Sequence, residues 1–106
     1  MISIIIVNYN VKDYLLQCLN SIKKSKLNNE YEIIVIDNNS SEDLCEIEDS
    51  SLNIKLYQLR KNYGFAYAVN YGIRKSAGGH ILLLNPDTLI KEDTIQTLYN
   101  YLESNL

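Results

Sequence analysis

Two aspartates stand just after apolar runs of the chain, where a carboxylate can reach a ligand. Asp37 follows the run 31–36, and Asp87 follows the run 80–84 after an Asn-Pro pair. A carboxylate is a hard oxygen ligand that suits Mg²⁺ or Mn²⁺. It can also accept a hydrogen bond, strengthened by its charge, from the imino N–H of uracil or thymine. Cation binding and base recognition are therefore the first hypotheses for the pair.

Glycine-rich phosphate motifs are absent from the sequence. No G-x-G-x-x-G follows the first apolar run and no G-x-x-x-x-G-K-[ST] occurs, which disfavours dehydrogenases and P-loop enzymes. A bound diphosphate would need a divalent cation to neutralise its charge, so we assign the cation to Asp87 and the base to Asp37. The alternative is that both residues only cap turns, because Asp favours the turns that follow strands.

Alternating hydrophobic patterns predict the elements that position these acids, in the order βαβαβαβα. Continuous apolar runs predict strands over residues 3–7, 31–36 and 80–84, because strands covered on both faces of a parallel sheet are apolar throughout. The stretch 53–59 alternates apolar and polar residues. This alternation predicts a less buried strand at the edge of the sheet.

Helical spacing of apolar residues predicts helices between and after the strands. A short helix is expected over about residues 42–48, since the hydroxyl and acidic residues at 40–43 suit a helix start. The helix before the fourth strand is expected to end at Gly78-Gly79, because glycine accepts the left-handed conformation. The apolar positions of the first, third and last helices are Leu15, Leu19 and Ile22; Ala66, Val69 and Ile73; and Ile95, Leu98, Tyr99 and Leu102.

We expect an α/β fold with an open, doubly wound, mostly parallel sheet of strand order 3-2-1-4, in which right-handed crossovers between parallel strands give the double winding. Ligands of such sheets bind at the carboxyl ends of the strands, which here carry Asn8-Tyr9-Asn10, Asp37-Asn38-Asn39 and Asn85 to Thr88.

The fourth strand has the composition of a central strand, yet no later strand follows to pair with its outer edge. We therefore expect either that the chain is a piece of a longer protein or that another molecule covers this strand edge. Pairing of two copies through residues 81–84 is one way in which the edge would be covered.

The composition fits a single domain over residues 1–106, with 46% hydrophobic and 22% charged residues. The formal charge of −3 argues against a nucleic-acid binder, which would carry a basic stripe. The sequence has neither a run of ~18 apolar residues nor a signal-peptide pattern, so a cytoplasmic protein is predicted. Cys18, Cys45 and His80 are too few soft ligands for a zinc site, and both cysteines are predicted to be reduced.

Four motifs resemble the family 2 glycosyltransferases, and within them most closely the rhamnosyltransferase-like branch. The motifs are I-I-I-V-N-Y-N at 4–10, I-V-I-D-N-N-S at 34–40, K-N-Y-G-F-A at 61–66 with Asn70, and L-L-L-N-P-D at 82–87. The resemblance implies a Rossmann-like GT-A fold. It also implies transfer of a sugar from a nucleoside-diphosphate donor, a UDP- or dTDP-sugar, to a saccharide acceptor with inversion, assisted by Mg²⁺ or Mn²⁺.

The resemblance also implies a donor site. Its residues are Val7, Asn8, Tyr9, Asp37, Asn62, Gly64, Asn70 and Asn85. The first three match the loop that holds the nucleoside, and Asp37 matches the aspartate at the uracil or thymine ring. Asp87 matches the last aspartate of the family's D-x-D metal motif, which reads Asn85-Pro86-Asp87 here and so offers a single carboxylate.

The family's catalytic base lies after the metal motif, in the half of the domain that binds the acceptor. That base is expected beyond Leu106, so no residue of the chain is predicted to be catalytic. The chain is predicted to be the N-terminal donor-binding part, inactive alone, of an enzyme of polysaccharide assembly near the inner face of the membrane. The alternatives are a nucleotide-binding or regulatory module without chemistry and a receiver domain, which would need an acidic pair after its first strand.

Overall fold

The structure, a computed structural model, describes residues 1–49 and 53–105. The strands and helices in chain order are β1 Ile2–Asn8, α1 Lys12–Lys23, β2 Tyr31–Asp37, β3 Ile54–Gln58, α2 Phe65–Lys75, β4 His80–Leu83 and α3 Thr94–Ser104. The four strands form one sheet of order β3-β2-β1-β4, and every neighbouring pair is parallel. The predicted fold class and strand order are confirmed, and β3 lies at a sheet edge as expected.

The two central strands are covered on both faces. All seven residues of β1 and six of the seven in β2 are buried. Ile4 and Ile6 pack into a core cluster with α1 on one side, whereas Ile5 and Val7 pack with Ala68 of α2 on the other. An unbroken apolar sequence results, because neither face of these strands meets water.

The short helix expected over residues 42–48 does not form. A single turn stands in its place, in which the backbone N–H of Ile47 donates to the carbonyl of Leu44 at 3.0 Å. The residues expected to start a helix bond elsewhere: Oγ of Ser40 accepts a hydrogen bond from the backbone N–H of Asn10, and Glu42 accepts one from the backbone N–H of Lys12 at the start of α1. Local sequence suited a helix start, but long-range partners took its capping groups.

Helix α2 buries a different face from the one expected. Ala68 and Gly72 are its buried residues, whereas Ala66 and Ile73 are exposed and Val69 is half-buried. The helix lies close to the sheet at Gly72, since a Cβ there would stand 2.8 Å from Cγ2 of Ile5. Small residues therefore face the sheet because the backbone approaches it closely.

The end of α2 also differs from the expectation. The helix stops at Lys75 because Ser76 adopts an extended conformation, and Gly64 is the only glycine of the described residues with a positive φ. Gly78 is required for space instead, since a Cβ there would lie 2.5 Å from Oγ of Ser3 and 2.6 Å from the carbonyl oxygen of Met1.

Strand β4 lies at the edge opposite β3 and is half covered. Ile81 and Leu83 are 43% and 44% exposed, and within residues 1–49 and 53–105 no strand pairs with its outer side. Only Ile95 of α3 is buried, while Leu98 and Leu102 are exposed. No helix of the described part is both long and apolar enough to cross a membrane.

Candidate functional site

The carboxyl ends of β1 and β2 lie side by side. Asn8 and Asp37 are register partners at the last position of each strand. The chain then continues from β2 with the backbone N–H of Asn38 donating to the carbonyl of Asn8 at 2.9 Å. Both side chains are buried, and Asp37 is 1% exposed. The sheet therefore holds an amide and a carboxylate in one fixed arrangement at its rim.

The carboxylate of Asp37 accepts three hydrogen bonds from its own protein. Its Oδ1 accepts from Nδ2 of Asn8 at 3.1 Å and from Oγ of Ser40 at 2.6 Å. Among the described residues, its Oδ2 accepts only from the backbone N–H of Ser40, at 2.9 Å. A carboxylate has about four acceptor positions. The internal bonds stabilise the charge in a buried place and leave capacity on Oδ2 for a further donor.

The loops after β1 and β2 are joined into one unit. Oγ of Ser40 accepts from the backbone N–H of Asn10 at 2.8 Å, and Oδ1 of Asn10 accepts from the backbone N–H of Ser41 at 2.9 Å. Asn10 and Asn39 have positive φ values of 54° and 67°. Asn tolerates this conformation better than most residues, which explains the asparagines that follow both strands.

Two buried amide oxygens at this rim have no hydrogen-bond partner among the described residues. They are Oδ1 of Asn8 and Oδ1 of Asn38. The amide nitrogen of Asn38 donates to the carbonyl of Gly64 at 3.2 Å, so its oxygen is held in place. A buried acceptor without a partner is costly, and native proteins keep few of them. A bound water, or an N–H or O–H group of a ligand that reaches these oxygens, would satisfy them.

The start of α2 reaches the same rim through Gly64. This residue has φ 92° and ψ 170°, a conformation essentially restricted to glycine. Its backbone N–H donates to Oδ1 of Asn62 at 2.9 Å, and no side chain caps the helix. The helix start therefore has free N–H groups of the kind that favour anions.

Three of the sequence-predicted donor residues stand apart from this hydrogen-bonded cluster. Val7 packs its side chain into the α2 core cluster, so only its backbone can contact a ligand. Tyr9 is 49% exposed beside the rim. Asn70 is exposed within α2, and no hydrogen bond of the described part links it to Asp37 or Gly64. The structure brings together Asn8, Asp37, Asn62 and Gly64.

Asp87 lies beyond β4 at the carboxyl edge of the sheet. Asn85 and Asp87 are both exposed, and the carbonyl of Asn85 accepts a weak hydrogen bond from Sγ of Cys18 at 3.8 Å. Burial, and secondarily the negative charge of Asp87, raise the pKa of the Cys18 thiol to about 11. The contact from Cys18 to Asn85 places the segment 85–87 beside α1, and the strand that precedes it, β4, lies on the other side of β1 from β2 and Asp37. No hydrogen bond of the described part joins the two acids.

The metal-ligand groups at Asp87 can hold a metal ion only weakly. Within residues 1–49 and 53–105 no group of three or more His, Cys, Asp or Glu side chains could hold one. An exposed carboxylate with a nearby amide suits Mg²⁺, which commonly takes one or two protein carboxylates and completes its shell with water and substrate phosphates.

Sequence reasoning missed two residues of the site. Ser40 was expected as a helix cap and instead binds Asp37, while Asn38 connects β2 to Gly64. The spacing Asp37-x-x-Ser40 carried a signal, because an Asp side chain often accepts hydrogen bonds from the backbone just after it. The link from Asn38 to Gly64 spans 26 residues and left no local signal.

The comparison with solved structures finds the same architecture. The crystal structure of S. aureus TarS 1-349 in complex with UDP-GlcNAc has a TM-score of 0.86 and 26% identity, covering 97% of this chain and 31% of that one. The mannosyltransferase PcManGT from Pyrobaculum calidifontis, in complex with GDP-Man and Mn²⁺, has a TM-score of 0.86. It is 21% identical, covers 95% of this chain and 32% of that one, and supports the GT-A-like fold alone.

Sequence comparisons agree with the fold. Glycosyltransferase GlyG from Streptococcus pneumoniae serotype 4 is 31% identical over 107 residues, covering 97% of this chain and 35% of GlyG. The chain thus spans about a third of the length of this relative and of both solved structures. The model of glycosyl transferase family 2 matches residues 3–106. Because that match takes in almost every residue, the chain belongs to glycosyl transferase family 2.

Proposed function

We propose that these 106 residues are the donor-binding part of a longer glycosyltransferase that uses a nucleoside-diphosphate sugar. The observation that carries the proposal is the rim cluster, in which buried Asp37 keeps an open acceptor position and two buried amide oxygens lack partners. Support comes from the TarS neighbour, which binds UDP-GlcNAc in its crystal structure. A UDP- or dTDP-sugar is the donor we expect, because the UDP-GlcNAc of the TarS neighbour carries uracil, and uracil and thymine present the same imino N–H to a carboxylate.

Each donor-site residue then has a role. Oδ2 of Asp37 accepts the imino N–H of the base, and the free amide oxygens of Asn8 and Asn38 accept from further N–H or O–H groups of the nucleoside. Tyr9 is exposed beside the rim and stacks on the base. The remaining residues line the donor through backbone and amide groups, namely Val7, Asn62, Gly64, Asn70 and Asn85.

Asp87, with Asn85 beside it, would hold Mg²⁺ or Mn²⁺ together with the oxygens of the donor diphosphate. The ion supplies the positive charge that stabilises the diphosphate as it leaves. Because the protein contributes one carboxylate here, metal affinity is expected to be low until the donor binds. The chain's own part of the reaction is therefore to fix the base, the ribose and the diphosphate in position.

The complete reaction needs further groups. An inverting transfer requires a base that deprotonates the acceptor hydroxyl as it attacks, and we assign no described residue to that task. We propose that the base and the saccharide-binding half belong to the longer enzyme, with hexosyl or rhamnosyl transfer in polysaccharide assembly at the inner face of the membrane as its setting. Pairing of two copies through the open edge of β4 is a further part of this proposal.

Titration calorimetry tests donor binding directly. The chain is expected to bind UDP or dTDP more tightly than GDP, and more tightly with Mn²⁺ than without it. Asp87→Asn should remove the metal dependence, whereas Asp93→Asn, the same change at another exposed acid, should preserve it. Asp37→Asn should weaken UDP binding about 10- to 100-fold, the loss typical of a charged hydrogen bond. Absence of nucleotide binding by the folded wild type at millimolar concentrations would overturn the proposal.

A further inference from the structure

Charge is strongly segregated along the chain. Residues 53–79, which include β3 and α2, contain five of the ten Lys and Arg residues and none of the 13 Asp and Glu residues. All five side chains are exposed: Lys55, Arg60, Lys61, Arg74 and Lys75. A protein of formal charge −3 thus presents one distinctly basic segment, and such asymmetry indicates an anionic partner.

Aromatic rings are interleaved with these cations. Tyr63 and Tyr67 stack with ring centroids 4.4 Å apart, and Tyr71 follows one helical turn later. Nζ of Lys61 lies 5.0 Å from the Tyr63 ring, whereas Cζ of Arg74 lies 5.9 Å from the Tyr71 ring. We call the surface formed by Lys61, Tyr63, Tyr67, Tyr71, Arg74 and Lys75 the basic aromatic face.

Strand β3 extends the basic aromatic face. Tyr57 meets the edge of Tyr71 at 5.9 Å, and Nζ of Lys75 lies 5.5 Å from both rings. The surface therefore runs from the loop before α2, along one side of that helix, to the outer strand. Ring contacts and cation–π contacts link Lys61, Tyr63 and Tyr67 at one end of this surface, and they link Tyr57, Tyr71, Arg74 and Lys75 at the other end.

The charges of this face are not neutralised by the protein. Among the described residues, ion pairs involve Lys12, Lys26, Lys55 and His80, and none involves Lys61, Arg74 or Lys75. These three cations instead lie over tyrosine rings, which position them without cancelling their charge. They remain available for phosphate groups of a partner.

Two cavities of the described part lie away from this face. They lie between β4 and α3 and between α1 and residues 89–92, with volumes of about 220 and 580 Å³. Neither is lined by a residue of the basic aromatic face. An open surface of exposed tyrosine rings and cations matches the interface of a bilayer, where tyrosine lies at headgroup depth and cations meet anionic lipids.

We infer that the basic aromatic face binds the surface of an anionic phospholipid bilayer. Lys61, Arg74 and Lys75 contact lipid phosphates, and the exposed rings of Tyr63 and Tyr67 enter the headgroup layer. Gly64 at the start of α2 belongs to the rim, so the candidate donor site would open beside the bilayer surface. This inference rests on charge and ring placement alone and holds whichever ligand the rim binds.

Vesicle co-sedimentation at several salt concentrations tests the inference. The chain should bind vesicles of phosphatidylglycerol mixed with phosphatidylcholine, and it should not bind vesicles of phosphatidylcholine alone. The double variant Arg74→Gln/Lys75→Gln should lower the partition coefficient about 30-fold, about fivefold for each charge. Lys23→Gln/Lys24→Gln removes the same charge from exposed positions at the end of α1 and should leave binding within about twofold, because these lysines lie outside the face.

Two further measurements keep the result interpretable. Circular dichroism confirms that each variant folds, and Lys61→Gln, which lies outside any helix or strand, provides a second charge removal if the double variant unfolds. A partition coefficient that does not fall as the salt concentration rises, or that is lowered equally in both double variants, would overturn the inference. Binding to a soluble polyanion such as heparin without any binding to anionic vesicles would also overturn it, in favour of a polymeric partner.

Discussion

Ser40 binds both oxygens of the Asp37 carboxylate. Its hydroxyl donates to Oδ1 at 2.6 Å, and its backbone N–H donates to Oδ2 at 2.9 Å. The same hydroxyl accepts from the backbone N–H of Asn10 in the loop after β1. One serine thus stabilises a buried charge and joins the two loops that form the rim, so the geometry of the site depends on a residue with no direct role in chemistry.

Ser40→Ala is therefore expected to lower the free energy of unfolding by about 1.5–3 kcal/mol, the range for hydrogen bonds to charged groups. The variant leaves Asp37 with one fewer donor and Asn10 with an unpaired N–H. Ser41→Ala is the matched control, because within residues 1–49 and 53–105 Oγ of Ser41 makes only an exposed contact of 3.2 Å to Asn10. Urea denaturation of both variants gives the comparison. Equal stability of the two would contradict the role assigned to Ser40.

The two central strands could be predicted from the sequence because both of their faces are buried. Strands β1 and β2 are therefore continuous runs of mostly isoleucine and valine, which can be recognised without a periodic pattern. The position of Asp37 followed from where the β2 run stops, the position of Asp87 followed from where the β4 run stops, and the rule for parallel sheets put both at the carboxyl edge. The double winding of the sheet followed from right-handed crossovers.

The rest depended on contacts between distant parts of the chain. Residues 40–43 have a helix-start pattern, but Ser40 and Glu42 bond to groups near β1 and α1 about 30 residues earlier. The buried face of α2 was set by how closely Gly72 approaches Ile5, which the helical spacing of larger apolar residues could not indicate. At the site, the link from Asn38 to Gly64 likewise has no signature in either local sequence.

Gly64→Ala is expected to destabilise the protein by about 1–3 kcal/mol because φ 92° with ψ 170° is strained for any residue with a Cβ. Space is not the cause, since no atom lies within 4 Å of a Cβ at this position. Gly79→Ala is the control: it has equal space and no positive φ, so its cost should be near zero. Thermal denaturation measures both. A similar loss of stability in the two variants would refute the conformational explanation.

The ionisation of Glu32 is expected to make the stability of the protein depend on pH. Burial tends to raise the pKa of this carboxyl, but hydrogen bonds from the backbone N–H of Ala77, from Ser3 and from Lys55 outweigh burial and lower it. A lowered folded-state pKa stabilises the protein above the unfolded-state pKa of about 4.3, and this stabilisation is lost as pH falls through the folded-state value.

Glu32→Gln should therefore lose stability at pH 7 by roughly 2 kcal/mol, with the deficit shrinking on acidification below about pH 4 because the wild type then loses the same charged interactions. Glu30→Gln, an exposed residue two positions earlier, should follow the wild type at every pH. Urea midpoints measured from pH 7 to pH 3 make the comparison. A deficit that stays constant across this range would show that the charge of Glu32 is not what matters.

The two cysteines should react at very different rates. The pKa of buried Cys18 is raised to about 11, so only ~0.1% of it would be thiolate at pH 8 even if reagent could reach it. Cys45 is exposed, and a hydrogen bond and negative charge from Asp43 raise its pKa. Ellman's reagent should therefore modify one thiol in the native protein and both after unfolding.

Asp43→Asn should accelerate the labelling of Cys45 near neutral pH, because its thiolate loses an anionic neighbour, whereas Glu48→Gln on the same loop should not. Native-state labelling of Cys18 as fast as that of Cys45 would contradict the packing of the Asn85 to Asp87 loop against α1.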